Sequence, residues 1–434
     1  GRPRVQKTEQ FLDAADSAGL SHGEPAPLAV SFKAGGAEAE PGATLPSRNL
    51  HARERRTCTL VGECDLGCNE GAKNSLDFNY LSDFLLELHG EIRTCCEAIE
   101  IRSLEPQGEE GYEVSYLQHR PAVGHVLARA EGEGKRAADE KLLDPDPEVR
   151  ARTVRAKVVV LAAGALGSTR LLLASRAALP PLSPQLGRRF SSNGDLLLFA
   201  RDCMKPSGTR QRDLSPSRGP VITAVARSEE DGYPLWLEDA GGPMLSEWGW
   251  QLPELPGDIW QALGSNTPAR LRRLLGKHKP GGRTSGEIAQ TFGSARSSAA
   301  MLPMLAMGLD RSGGRIRLER DALTLSWDPH ESAEHFLRAQ EALGKLAQGL
   351  GGKLWPEPQL LRDCYWGLTV HPLGGCAMGK NHEEGVVSRN GEVFGCKNLF
   401  VADGSVMPGA VGPNPSLTIA AIANHIADTA VRRL

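Results

Sequence analysis

Residues 398–423 read NLFVADGSVMPGAVGPNPSLTIAAIA, and this stretch decides the fold. An apolar run ends at Asp403-Gly404-Ser405, a Gly- and Pro-rich turn follows, and Pro413-Asn414-Pro415 open an apolar segment that reaches Val431. Strand, glycine turn, helix is the grammar of an α/β sheet. Asn414 has the side chain of an N-cap, and Pro415 suits the first helical position. Leu417, Ile419, Ala420, Ile422, Ala423, Ile426, Ala427 and Ala430 cover every face of the helix, which predicts that it is buried. The same grammar occurs upstream. There the apolar run 157–162 enters AGALGSTRLLLAS, a glycine turn opening an amphipathic helix.

Between these two units the chain changes character. From about Asn193 alternating runs appear: VITAVARS at 221–228, LWLED at 235–239, IRLE at 316–319 and LTLSW at 323–327. Alternation marks antiparallel strands with one buried face. A helix is predicted over 333–350, where Phe336, Leu337, Ala339, Leu343, Leu346 and Ala347 fall at helical spacing. Shorter helices are predicted within 1–20 and over 80–89, with a strand at 98–103. Residues 21–50 read as exposed loop and 105–150 as a charged surface excursion. The expected fold class is α/β. A doubly wound, Rossmann-like domain is formed by residues 1–195 and 356–434, and an antiparallel α+β unit is inserted at 196–355.

Composition narrows the function. The 434 residues suggest about three domain-sized units. Lys and Arg number 50 against 53 Asp and Glu, and the net charge of −3 argues against a nucleic-acid partner, which calls for a basic excess. No apolar run of about 18 residues is free of charge, so no transmembrane segment is expected. The nine cysteines include the adjacent pair Cys95-Cys96. Most are read as reduced thiols, which favours a reducing, cytoplasmic compartment and leaves any export signal open. Cys58, Cys64 and Cys68 lack the C-x2-C pairs of zinc or iron–sulfur sites, so no metal is expected. His371, Asp403 and Ser405 lack the Gly-x-Ser-x-Gly elbow of a hydrolase.

The chemistry centres on His371-Pro-Leu-Gly-Gly-Cys-Ala-Met-Gly379. Pro372 biases His371 toward extended backbone, and the glycines allow close approach to a planar ligand. Alone, this could equally be a tight turn around a buried histidine. The helix after Asn414 adds a second element. Its N-terminus carries unpaired N–H groups and about half a positive charge, which suits the charge a reduced flavin develops on its N1–C2=O edge. A His and an Asn amide beside such a terminus form an alcohol-oxidising site, the His taking the hydroxyl proton and the cofactor the hydride. Trp248, Trp250 and Trp260, with Met244 and Leu245, are candidates for an apolar pocket, a core or a membrane-facing lip.

Together with GCNEGAKNSLDFNYL (67–81), VVVLAAGALGSTRLLL (158–173) and LGRRFSSNGD (186–195), these segments resemble the glucose–methanol–choline (GMC) oxidoreductase family, in its cholesterol-oxidase-like branch. The resemblance implies an FAD-dependent oxidoreductase acting on a CH–OH group. Its substrate would be a bulky apolar, sterol-like alcohol, with oxygen or another electron acceptor. It implies that His371 is the active-site His and Asn414 its partner. Asp403 and Gly404 would lie beside the flavin ribityl and pyrophosphate, and Gly164 in a cofactor-facing loop. Asn69, Gly71, Ala72 and Asn74 would lie near the isoalloxazine, the strand at Ala98 would meet the adenine end, and Pro415 would open the cofactor-facing helix. Asn193, Gly194 and Asp195 would mark the crossing into the substrate domain, where a Glu is also implied, with Glu238 and Glu247 both open.

One departure stands out. The family opens with a strand and Gly-x-Gly-x-x-Gly, which meets the FAD pyrophosphate. The nearest string, Gly132-Glu-Gly134-Lys-Arg-Ala137, lies in the charged excursion. The expectation is an FAD-binding domain lacking its first βαβ unit, with weak or no FAD binding by this chain and an unpaired sheet edge. The alternative is a truncated or decayed member that does no chemistry.

Overall fold

The computed structural model describes residues 5–34, 37–38, 40–106, 108–119, 126–127, 149–205, 208, 212–230, 232–243, 299–356 and 368–433. The principal elements of the first half are α1 (Gln6–Ser17), β1 (Ser21–Pro25), α2 (Tyr80–Leu86), β2 (Cys96–Ser103), β3 (Tyr112–Gln118), β4 (Arg150–Ala156), β5 (Val159–Leu161), α3 (Gly164–Ala174), β6 (Arg188–Phe190) and β7 (Leu196–Arg201). Then come β8 (Ala224–Glu230), β9 (Tyr233–Asp239), β10 (Leu302–Gly308), β11 (Gly314–Glu319), β12 (Ala322–Ser326), α4 (Ala333–Gly349), β13 (Lys353–Trp355), β14 (Leu399–Val401) and α5 (Ser416–Val431). Trp248, Trp250, Trp260, Met244, Leu245, Glu247 and Cys364 lie outside the described residues.

The inserted unit is an antiparallel sheet in the order β1-β8-β9-β10-β7-β13. Its alternation does what the sequence pattern requires. Leu198, Ala200, Leu235, Leu237, Leu302, Met304 and Ala306 fall on one face, under Phe11, Ala14 and Ala15 of α1 and Ala339, Leu343, Leu346 and Ala347 of α4. The intervening residues Leu197, Trp236, Glu238, Leu305 and Met307 therefore point to the opposite face. Residues 6–25, expected with the first domain, pack into this sheet and core instead. The segment 21–50, expected to be loop, supplies β1 as an edge strand.

The Rossmann-like grammar is realised by a smaller unit. β5 and β14 pair in parallel, Val159 to Leu399, Val160 to Phe400 and Leu161 to Val401. α3 follows the first strand and a single turn, Gly404–Val406, follows the second. Among the described residues these two strands have no further parallel partner. That explains two corrections. Within the run 157–162, expected to be a buried strand, Val160 is 45% exposed. In α5, expected to be buried on all sides, only Ile426 and Ala430 are buried, and Leu417 is 80% exposed. One stripe of α5, with Ile422, lies on Phe400, and Leu417, Ala420, Ala421 and Ala427 stay exposed. Two further antiparallel sheets, β4-β3-β2 and β6-β11-β12, flank the α/β core of Leu161, Leu172, Val386, Val387 and Val401. No helix among the described residues is long and apolar enough to cross a membrane.

Candidate active site

His371 lies where the chain runs antiparallel to the turn before β7. Leu373 and Ser191 exchange both backbone hydrogen bonds at 3.1 Å. The His371 N–H donates to Thr369 Oγ1 at 2.9 Å. Its ring Nδ1 sits 2.8 Å from Asp195 Oδ1, with side-chain exposures of 14% for His371 and 2% for Asp195. Asp195 Oδ2 also accepts from the Val370 N–H at 2.9 Å. The glycines that follow are required by close packing within the protein. A Cβ on Gly374 would lie 1.9 Å from Arg189 O, on Gly375 2.1 Å from Thr169 Oγ1, and on Gly379 2.4 Å from Gly385 N. They let the loop pass close to its own protein. Cys376, inside this loop, is fully buried, and burial pushes its thiol up to about 12, which removes it as a nucleophile.

Asn414 reaches the same region from the other side. Asn193, in the left-handed conformation at φ 57°, ties down the loop in front of it. Its Oδ1 accepts from Val411 N at 2.8 Å and Gly412 N at 3.0 Å, while its Nδ2 donates to Gly412 O at 3.0 Å and Pro413 O at 3.2 Å. Gly412, at φ 97°, lies so close to the Trp236 ring that a Cβ would come within 2.5 Å of it. Asn414 is not an N-cap. The helix begins at Ser416 with Pro415 in the capping position and no side-chain cap, because the Asn414 amide turns away and donates to Glu238 Oε2 at 3.4 Å. The first turn of α5 is left open, with Ser416 and Leu417 exposed.

Glu238 completes the group. It is 4% exposed, and its carboxyl is raised to about 7, first by burial and also by the neighbouring Asp239 and Asp195, with the Asn414 hydrogen bond and His371 opposing. Opposite it on β10 stands Leu305, and opposite Leu305 on β7 stands Leu197, so the acid rises from an apolar rung. The signal in the sequence was the Glu-Asp pair closing an apolar strand at 238–239: alternation sends one carboxylate to each face. A folded-state pKa above the ordinary Glu value means that the native state holds this proton longer than the unfolded chain. Stability from Glu238 is therefore full below the unfolded pKa and is lost as pH rises through about 7. Glu238→Gln is expected to flatten that decline, which urea midpoints at about pH 5 and pH 8 would show.

The remaining expected positions divide. Gly164, Asp403 and Gly404 gather at the carboxyl ends of the two parallel strands, where such folds bind ligands. Gly374 N donates to Gly404 O at 3.0 Å, joining this turn to the His371 loop. The Asp403 carboxylate accepts from Gly164 N at 3.0 Å, Ser168 Oγ at 2.5 Å, Ser405 N at 2.8 Å and Ser405 Oγ at 2.6 Å. Its charge thus caps α3. Pro415 is buried at the mouth of α5. Asn69 is exposed, while Gly71 and Ala72 are buried. Asn74 Oδ1 and Gly71 O both accept from the Arg55 guanidinium, which lies 4.6 Å from the Phe78 ring centroid. The backbone of this loop is held by Ala29 and Ser31. Ala98 is exposed on β2, opposite Tyr116.

Ala162, Ala163 and Leu166 are exposed after β5, and the N–H groups of the open α5 terminus follow Asn414; a flavin ring, if held here, would meet apolar surface and that terminus. This sequence holds no strand–Gly-x-Gly-x-x-Gly–helix to receive the pyrophosphate.

Family models described as GMC oxidoreductase match residues 39–192 and 312–423, together more than half the chain. The chain belongs to the GMC oxidoreductase family, whose members are FAD-dependent. A cholesterol oxidase of Acinetobacter baumannii is 26% identical over 433 residues, 94% of this chain and 68% of the relative. A cholesterol oxidase of Mycobacterium tuberculosis is 27% identical over 421 residues, 93% of this chain and 64% of the relative. The chain thus spans about two thirds of the length of these relatives. An FAD-dependent oxidoreductase from Chaetomium thermophilum superposes with a TM-score of 0.50 at 14% identity, over 98% of this chain and 72% of that one, a likeness of fold.

Proposed function

We propose that the protein oxidises a bulky apolar secondary alcohol, sterol-like in shape, at the site formed by His371, Asn414 and Glu238. The observation that carries this reading is geometric: Asn414 donates to Glu238, while one turn holds both segments, Asp195 on the His371 ring and Asn193 on residues 411–413 in front of Asn414. FAD, when bound, supplies the hydride acceptor. His371 accepts the hydroxyl proton through Nε2, the nitrogen not engaged by Asp195. The Asn414 amide, with one N–H on Glu238, orients the substrate oxygen with the other. Glu238, protonated to near neutrality, can exchange a proton with the substrate without leaving a bare charge on an apolar floor. Leu197, Trp236, Leu305 and Met307 flank it on the same face and favour an apolar substrate body over a sugar. The cholesterol oxidases above, and a long-chain-alcohol oxidase of Arabidopsis thaliana 27% identical over 390 residues, agree with that preference.

A stopped-flow screen of flavin reduction in the FAD-supplemented protein tests the reading across sterols, long aliphatic alcohols and sugars. Sterols or other bulky apolar alcohols are expected to react fastest. Preference for sugars would overturn the substrate class, and no reduction by any alcohol would favour the non-catalytic reading.

A further inference from the structure

We infer that Asp195 is the positioning residue that fixes which ring nitrogen of His371 carries the proton, a conclusion that deepens the reading above and rests on it for its catalytic meaning. Asp195 sits at the end of the turn Ser192-Asn193-Gly194-Asp195, where β7 begins. Its two oxygens face different partners. Oδ1 lies 2.8 Å from His371 Nδ1, and Oδ2 accepts the Val370 N–H at 2.9 Å and lies 2.9 Å from Thr369 Oγ1. Thr369 Oγ1 in turn accepts the His371 backbone N–H and lies 2.9 Å from Ser192 O. The carboxylate has no proton to give, so Nδ1 must be the donor and a neutral imidazole keeps its lone pair on Nε2. The same turn holds the second residue, because Asn193, two positions earlier, makes four hydrogen bonds to residues 411–413 in front of Asn414. One short turn thus registers two segments that are far apart in the chain.

Asp195→Asn tests the assignment. The Val370 N–H can be met only by oxygen, so the new amide must place its oxygen at the Oδ2 position and its NH2 toward His371 Nδ1. The amide then donates to the ring, Nδ1 becomes the acceptor, and the proton moves to Nε2. The readout is the 15N–1H correlation pattern of His371 in protein labelled at histidine, recorded without substrate or flavin. Wild type is expected to show the Nδ1–H tautomer and D195N the Nε2–H tautomer, with a far-UV circular dichroism spectrum unchanged. In the FAD-loaded enzyme kcat is expected to fall roughly 10²–10⁴-fold with KM little changed. An Nε2–H tautomer in wild type, or an unchanged pattern in folded D195N, overturns the inference. If D195N does not fold, the wild-type spectrum decides alone. Since the tautomer is read without turnover, it stands or falls independently of the alcohol-oxidation reading.

Discussion

Replacing His371 by Gln is expected to lower the rate of flavin reduction by roughly 10²–10⁴-fold while leaving the fold intact. The expectation comes from what Gln keeps and what it loses. A Gln amide can still donate to Asp195, which otherwise would be left as a buried carboxylate, 2% exposed, with one fewer partner. The backbone contacts to Thr369 and Ser191 do not involve the ring. Stability should therefore change by no more than about 1 kcal/mol, a normal figure for one exchanged hydrogen bond. What disappears is the basic nitrogen that the proposed reaction uses, because an amide takes up no proton near neutral pH. Single-turnover flavin reduction beside a thermal melt separates the two effects. An unchanged rate would take His371 out of the chemistry and leave Glu238 as the nearest proton acceptor.

The fold was legible where local pattern and tertiary environment agreed. The alternation in LWLED and LTLSW became antiparallel strands, and the 3.6-residue spacing over 333–350 became α4, because each pattern records a single buried face. It misled in α5, where an apolar surface on all sides predicted burial that two parallel strands cannot supply. The site was legible in part. His371 and Asn414 stood out from their glycine and proline surroundings, yet both partners that give them meaning lie 176 residues away in sequence, Asp195 for the one and Glu238 for the other. No local spacing encodes such a pairing. It follows from tertiary contacts, the Ser191–Leu373 bridge for the one and the hold of Asn193 on residues 411–413 for the other, which strand patterns leave open. The glycines of the His371 loop were visible as well, but sequence could not say that Arg189, Thr169 and Gly385 would be the neighbours that require them.

The largest loss of stability is expected far from the chemistry, at Lys7. Its side chain is 0% exposed, 3.5 Å from the equally buried Asp239, and it donates to Pro220 O at 2.7 Å and Val221 O at 2.6 Å. Burial lowers its pKa, and the Asp239 charge is the main force opposing that shift. Lys7→Met leaves Asp239 charged in a dry core and two carbonyls without their donor, a loss of about 3–5 kcal/mol. The damage should lie in the unpaired charge rather than in the missing contact. Asp239 Oδ1 accepts from Thr223 N at 2.6 Å and Ala224 N at 2.7 Å, and Oδ2 faces the Thr223 hydroxyl. An Asn at 239 can keep its oxygen on those two N–H groups and turn its NH2 to the Thr223 oxygen, which can accept. The double variant Lys7→Met with Asp239→Asn is therefore expected to recover at least half of the loss, as urea unfolding would measure. A double variant no more stable than Lys7→Met would mean that the two orphaned carbonyls, not the charge, set the cost.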